Sequence, residues 1–225
     1  KTDGLNQRYN IMKNKLDLNH FISFEGIDFS GKSTQIALLK DFLNSRGQNV
    51  YVLREPGGTR LSEQIRDILL DNSHSNMTPI AEIFLYSAAR NQLLEERILP
   101  LLEQVFVILA DRYVDSTTAY QGYGRQLNLE DVEHINQAAT RGILPGITFY
   151  LEVSPTVAAE RLKKSNKPAD RLEGQGIDFY TRVFEGYKEL CNKYRTRLYK
   201  IDGMQPKERV HQEILKIIEG KITGF

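Results

Sequence analysis

Two hydrophobic periods alternate along the chain. Short apolar runs appear at about 20–25, Val50–Leu53, Val105–Ala110, Ile147–Leu151 and Arg197–Ile201. Such runs, bounded by Gly, Pro and charged residues, read as strands, and the unbroken Val105–Ala110 run suits a strand covered on both faces. Between them lie segments with a period near 3.6. One runs from Lys32 to Ser45, with Gly47 placed to close it. The next carries Leu61, Ile65, Ile68 and Leu69 on one face, and Thr78-Pro79 opens a long helix expected to end near Leu99, before Pro100. Asn128 heads a helix with Val132, Ile135 and Ala139, and Ser154-Pro155 heads another. Further helices are expected over about Asp178–Tyr194 and from near Pro206, the last with Val210, Ile214, Ile217 and Ile218.

Strand and helix alternating in this way predict an α/β fold: a five-stranded parallel sheet with helices on both faces, of the P-loop NTPase type. Right-handed crossovers put the strand C-termini on one edge, where ligands bind in such sheets. Residues 19–225 are read as one domain. Residues 1–18, polar and rich in Asn and Lys, are read as an N-terminal extension outside the fold: disordered or an expression remnant, with a transit peptide the weaker alternative.

Composition narrows the class. The 225 residues carry a formal net charge of +1, which argues against a nucleic-acid partner. No apolar run approaches the roughly 20 residues of a membrane span. One cysteine, Cys191, and four histidines without ligand spacing point to a reducing, cytoplasmic compartment and away from a metal cage of Cys and His.

The chemistry starts at Gly26-Ile27-Asp28-Phe29-Ser30-Gly31-Lys32-Ser33-Thr34, which fills the pattern G-x-x-x-x-G-K-[ST] between a strand and a helix. Its glycines let successive N–H groups turn inward, the helix start adds a positive dipole end, Lys32 adds a charge for the outer phosphates, and Ser33 offers a hydroxyl to Mg²⁺. ATP binding is therefore assigned to the loop from Gly26 through Thr34. Asp111, at the end of a buried strand, is a candidate to hold Mg²⁺ directly or through water, or else a turn-capping aspartate. Arg112 and Arg54, at the same edge, suit a second anion site, or are solvated surface residues. The basic stretch Arg161, Lys163, Lys164, Lys167, Arg171 reads as a lid over about 161–176, or as a solvated face. Tyr86 and Arg90, four apart, share a helix face that fits a flat base, or the core.

Taken together, these pieces resemble the thymidylate kinase family, over nearly all of residues 20–220. The resemblance rests on Phe24-Glu25-Gly26 through Thr34, Arg54 through Thr59, Ala88-Ala89-Arg90 behind Tyr86, Asp111-Arg112-Tyr113 with Ser116, Tyr120-Gln121-Gly122, and Asp170 through Glu173. It implies a nucleoside monophosphate kinase that moves a phosphoryl group from ATP to dTMP, with Mg²⁺, as a homodimer. It implies catalytic roles for Lys32, Asp28, Arg112 and a lid arginine, Arg161 or Arg171. It places dTMP on Asp28, Glu55, Arg66, Tyr86, Arg90, Arg112, Ser116, Thr117, Tyr120 and Gln121, with thymine stacked on Tyr86. Some members carry an arginine in the loop where this chain has Phe29; others bring that cation from the lid, the type this chain resembles.

Two other functions compete. One is a kinase for another nucleotide or small acceptor. The other, of a different class, is a P-loop switch or binding module that hydrolyses its nucleotide. The Asn-Lys-x-Asp spacing of guanine readers does not occur in Asn166-Lys167-Pro168-Ala169-Asp170.

Overall fold

The computed structural model describes residues 16–164 and 170–222; Lys167 of the predicted lid and residues 1–15 of the predicted extension lie outside them. Five strands, β1 (Phe21–Glu25), β2 (Val50–Arg54), β3 (Val107–Asp111), β4 (Ile147–Glu152) and β5 (Leu198–Asp202), form one parallel sheet in the order β2-β3-β1-β4-β5. The helices are α1 (Lys32–Ser45), α2 (Arg60–Leu70), α3 (Pro79–Leu93), α4 (Leu99–Glu103), α5 (Val114–Thr117), α6 (Leu129–Thr140), α7 (Pro155–Lys164), α8 (Ile177–Lys193) and α9 (Lys207–Glu219).

The central strand explains the two-faced core. Alternate residues of a strand point to opposite faces. Ile22 and Phe24 pack with Ile36, Leu39 and Leu43 of α1 and with Val210, Ile214 and Ile218 of α9. Phe21 points the other way, into a cluster with Leu93, Ile98 and Tyr113. Ser23 and Glu25 share that second face, and both are fully buried. Burial of a polar group without a partner is costly. Ser23 meets Thr148 of β4 at 2.8 Å, and Glu25 becomes part of the site described below.

Three regions differ from the sequence expectation. The long helix does not stop before Pro100. After α3 it widens into a π-helical turn over Leu94–Ile98 and resumes as α4, with Pro100 in its first turn. The wider π-helical turn before Pro100 makes room for the proline ring, which would clash with the preceding turn of a regular α-helix. Strand β3 begins two residues late: Val105 has φ 60° and is 63% exposed, and the N–H groups of Val105 and Phe106 close the end of α4 on Leu102 and Leu101 carbonyls. Residues 114–124, where the periodicity marks no element, form α5 and a π-helical stretch over Thr118–Gly124. Their small and glycine residues carry no apolar stripe. Packing sets them instead: a Cβ on Gly186 of α8 would lie 2.7 Å from the Tyr123 ring.

The folded region also starts before residue 19. Leu16 and Leu18 pack on the Phe21 cluster, and the Leu18 carbonyl accepts from the Gly146 N–H at 2.8 Å. Among the described residues, no helix is long and apolar enough to cross a membrane.

Candidate active site

The phosphate loop links β1 to α1, as the sequence motif requires. Gly26 (φ 134°) and Gly31 (φ 101°) take backbone angles that favour glycine. A Cβ on Gly26 would lie 2.7 Å from the Leu151 carbonyl oxygen, so the turn needs glycine for space as well. Lys32 is buried, and its Nζ donates to the Gly26 and Ile27 carbonyls, both at 3.2 Å. Burial and the nearby Arg112 charge push the Lys32 ammonium down from its ordinary value, against Asp111, Asp28 and Glu25. Ser33 and Thr34 face solvent at the helix start. Ser33 Oγ donates to Asp111 Oδ2 at 3.2 Å, which joins the loop to the end of β3. Two hard oxygen donors beside a phosphate cradle fit Mg²⁺, which takes few protein ligands and keeps water and phosphate oxygens. No cluster of three or more His, Cys, Asp or Glu side chains that could hold a metal occurs among the described residues.

A cavity of about 90 Å³ opens beside the loop. All ten predicted dTMP residues line it: Asp28, Glu55, Arg66, Tyr86, Arg90, Arg112, Ser116, Thr117, Tyr120 and Gln121. Elements far apart in sequence meet there: the phosphate loop, the β2–α2 turn, α3, and the β3–α5 region. Pro56, Leu70, Asp170 and Leu172 complete the wall, and of these only Leu70 lies outside the stretches quoted from the sequence.

Arg112 is the charged centre of this cavity. Its backbone sits at φ 73° and its side chain reaches back to the loop. Nη1 donates to the Gly26 carbonyl at 2.8 Å, and Nη2 pairs with Asp28 Oδ1 at 2.7 Å. The guanidinium lies over the Tyr120 ring, 5.0 Å from its centroid. Burial works against the Asp28 charge, but Arg112 and Lys32 outweigh it and hold the carboxyl below its ordinary range.

Arg90 is buried and gripped. It pairs with Glu55 at 2.7 Å, approaches Asn136 Oδ1 at 3.4 Å and donates to the Tyr113 carbonyl at 3.2 Å. Glu55 Oε1 is buried without a hydrogen-bond partner, as is Thr117 Oγ1. Those two oxygens lie on the cavity wall with the Arg90 guanidinium and Gln121. Burial, then the Glu82 charge, pushes the Tyr86 phenol well above its ordinary pKa, so it stays neutral. Arg66 donates to the Pro56 carbonyl at 3.1 Å at the cavity rim. Arg54 is not in the cavity; it is half-exposed and paired with Glu63 at 3.0 Å.

The two lid arginines go to different places. Arg161, on α7, donates to the Phe29 carbonyl of the phosphate loop at 2.9 Å. Arg171 is buried on the opposite wall, paired with Glu82 at 2.6 Å and donating to the Leu69 carbonyl at 2.7 Å. Only Arg161 of the two touches the loop. Glu82 also takes Arg125 at 3.0 Å and Gln121 at 2.9 Å. Burial raises the Glu82 pKa, but these hydrogen bonds and the Arg125 and Arg171 charges overcome it and keep the carboxylate ionised.

Glu82 and Glu25 carry much of the site, and neither was assigned a role from sequence. Glu25 did leave a signal: it is a carboxylate at the end of an apolar strand, directly before the loop. It accepts from the Tyr113 N–H at 2.8 Å, Ser116 Oγ at 2.5 Å and Tyr187 Oη at 2.9 Å. Burial first, then the Asp115 carboxylate, pushes its pKa up to about 7, against Ser116, Arg112 and the Tyr113 N–H.

This combination of phosphate loop and adjoining cavity has relatives. The family model described as "Thymidylate kinase" matches residues 24–214. A thymidylate kinase from Thermoanaerobacter sp. (strain X514) is 46% identical over 199 residues, which cover 88% of this chain and 97% of that protein. One from Chlorobaculum tepidum is 41% identical over 210 residues, with 90% and 98% covered. The crystal structure of thymidylate kinase from Ehrlichia chaffeensis superposes with a TM-score of 0.72 at 31% identity, over 88% of this chain and 97% of that one. A family match of this extent and relatives of this identity establish that the chain belongs to the thymidylate kinase family.

Proposed function

We propose that the protein transfers the γ-phosphoryl group of ATP to dTMP, forming dTDP on the way to dTTP. One observation carries this most: the loop that cradles a triphosphate and the arginine that faces the second cavity are physically joined, through the Gly26 carbonyl and Asp28. A triphosphate on the loop and a monophosphate on Arg112 then meet end to end, the arrangement in-line transfer needs.

The assigned roles follow from position. The loop from Gly26 to Thr34 binds ATP, and Lys32 offsets charge on the outer phosphates. Ser33 and Asp111, the latter through water, would hold Mg²⁺, which supplies charge neutralisation at the bridging oxygens when bound. Arg161 reaches the γ-phosphate from the lid, and Arg171 fastens the far end of the lid to the acceptor wall. Arg112 with Ser116 holds the dTMP phosphate, and Asp28 and Tyr120 line the sugar end. Thymine stacks on Tyr86 and is read by Arg90, Thr117 and Gln121, with Glu55 and Arg66 completing the enclosure. A homodimer belongs to the same reading, supported by exposed Leu61 and Ile68 on α2 and Ile80 and Phe84 on α3, as does a cytoplasmic setting.

The alternatives find no support in the site. A hydrolysing switch does not call for a second anion cavity joined to its loop, and a purine acceptor does not explain a wall closed by Glu55, Arg90 and Gln121. The test is ADP formation from ATP with a panel of acceptors. Turnover should require a pyrimidine deoxynucleoside monophosphate and be greatest with dTMP. Equal ATP hydrolysis without any acceptor, or preference for a purine monophosphate, would refute the reading.

A further inference from the structure

Glu25 lies outside the list of residues that touch either substrate, yet the side chains around it converge on Arg112. We propose that Glu25 is the positioning residue for Arg112, acting through the hydroxyls of Ser116 and Tyr187, and that it thereby sets the affinity for the acceptor's phosphate. The inference rests on the dTMP-kinase reading above.

The argument begins with donors and acceptors. Above its raised pKa of about 7 the Glu25 carboxylate only accepts, whereas a hydroxyl has one hydrogen and two lone pairs. Ser116 Oγ and Tyr187 Oη both reach Glu25 Oε2, at 2.5 and 2.9 Å, and lie 2.9 Å from each other, so their two hydrogens are spent inside this triangle, on the carboxylate or on one another. Their lone pairs are left for Arg112 Nη1, which lies 3.2 Å from Ser116 Oγ and 3.5 Å from Tyr187 Oη. Glu25 Oε1 takes the Tyr113 N–H at 2.8 Å, which fixes the backbone right after Arg112. One carboxylate thus orders the guanidinium from two directions.

The surroundings keep this unit rigid. The Tyr187 ring stacks on Tyr150 at 4.8 Å, so its hydroxyl does not wander. On the far side, Asp115 is tied to Arg197 by two bonds of 2.7 and 2.8 Å. The other charged groups that feel Glu25 are Lys32, Arg90 and Arg112 itself. Without Glu25's acceptors, Ser116 and Tyr187 are free to turn a hydrogen toward Arg112, and a donor facing a donor repels.

The test is Glu25→Gln, which keeps the shape and replaces an acceptor by a donor. Binding of dTMP and of thymidine is measured by calorimetry, alongside steady-state turnover. Thymidine lacks the phosphate that Arg112 holds. A positioning role predicts dTMP affinity weakened by roughly 10–100-fold, the range for partners that orient a binding group, with thymidine affinity and the ATP KM within about threefold of wild type. Equal losses for dTMP and thymidine, or no loss for either, would overturn the proposal. If Glu25→Gln does not fold, Tyr187→Phe takes its place. It keeps the stacked ring and removes one relay hydroxyl, so dTMP affinity should fall by several-fold with thymidine unchanged; no selective fall would refute the relay. Wild-type turnover with dTMP checks the underlying reading independently. An active wild type with an indistinguishable Glu25→Gln variant removes the inference and leaves the function standing.

Discussion

The donor side and the acceptor side of this site are built in different ways. The donor side is mostly backbone: a nine-residue loop whose shape comes from glycine dihedrals, local spacing and the start of α1. The acceptor side is mostly side chain. Its wall rests on carboxylates paired with arginines that come from distant segments: the buried Glu82 with Arg171 and Arg125, the buried Glu55 with Arg90, and the partly exposed Asp28 with Arg112. A buried pair is of uncertain worth against an apolar replacement, but breaking one leaves a charge stranded at a cost of several kcal/mol. The difference teaches that the loop recognises a group common to all nucleotides with generic chemistry, while discrimination is held by groups that fail together if one is removed.

The largest expected effect tests the junction between the two sides. Arg112→Ala should lower kcat/KM for dTMP by roughly 10³-fold or more, because an arginine facing transferred charge is worth that much. ATP should still bind, as followed by fluorescent-nucleotide displacement. Near-normal turnover would break the division into two sides at its most important point.

A smaller effect separates the two lid arginines. Arg161→Ala should reduce kcat by about 10²-fold, on the scale of losing one preorganised cation, with little change in urea unfolding. Arg171→Ala should do the reverse in kind, lowering stability by about 2–4 kcal/mol because Glu82 loses a buried partner. If both variants lose activity at unchanged stability, Arg171 belongs to the donor side after all.

The smallest effect concerns pH. Glu25 carries a folded-state pKa near 7, above its ordinary 4.5. A raised carboxyl pKa means that its contribution to stability is present below the unfolded value and is lost as pH rises through the folded one. The unfolding free energy of wild type relative to Glu25→Gln should therefore fall between about pH 4.5 and pH 7.5, by about 3 kcal/mol at ~1.4 kcal/mol for each pH unit between the two values. A flat difference across that window would mean that Glu25 is held ionised, with Ser116, Arg112 and the Tyr113 N–H offsetting burial and the Asp115 charge.

How much of this was legible in the sequence follows the same divide. The five strands, their parallel order of appearance and the phosphate loop rest on local periodicity and spacing, so they could be read directly. The ten cavity residues were named because their motifs, taken in order, resemble a family; no local rule brings Glu55 to Arg90 or Thr117 to Tyr86. Glu82 and Tyr187 stayed silent because a carboxylate or a tyrosine on a helix looks the same whether it faces water or a buried arginine. Segment 114–124 stayed silent because it is held by partners on α8 and has no stripe of its own. Pro100 misled because a π-helical turn let the chain continue past it.

One oxygen atom ties the two sides together. The Gly26 carbonyl accepts from Lys32 on the donor side at 3.2 Å and from Arg112 on the acceptor side at 2.8 Å. Surveyors call such a point a common datum. Two positions measured from one datum keep their separation when the datum drifts, whereas two positions measured from separate marks accumulate both errors. Breathing of the loop therefore carries both cations in the same direction. The gap between the phosphate that gives and the phosphate that receives, which must close to about 3–3.5 Å for reaction, is held by the shortest possible reference.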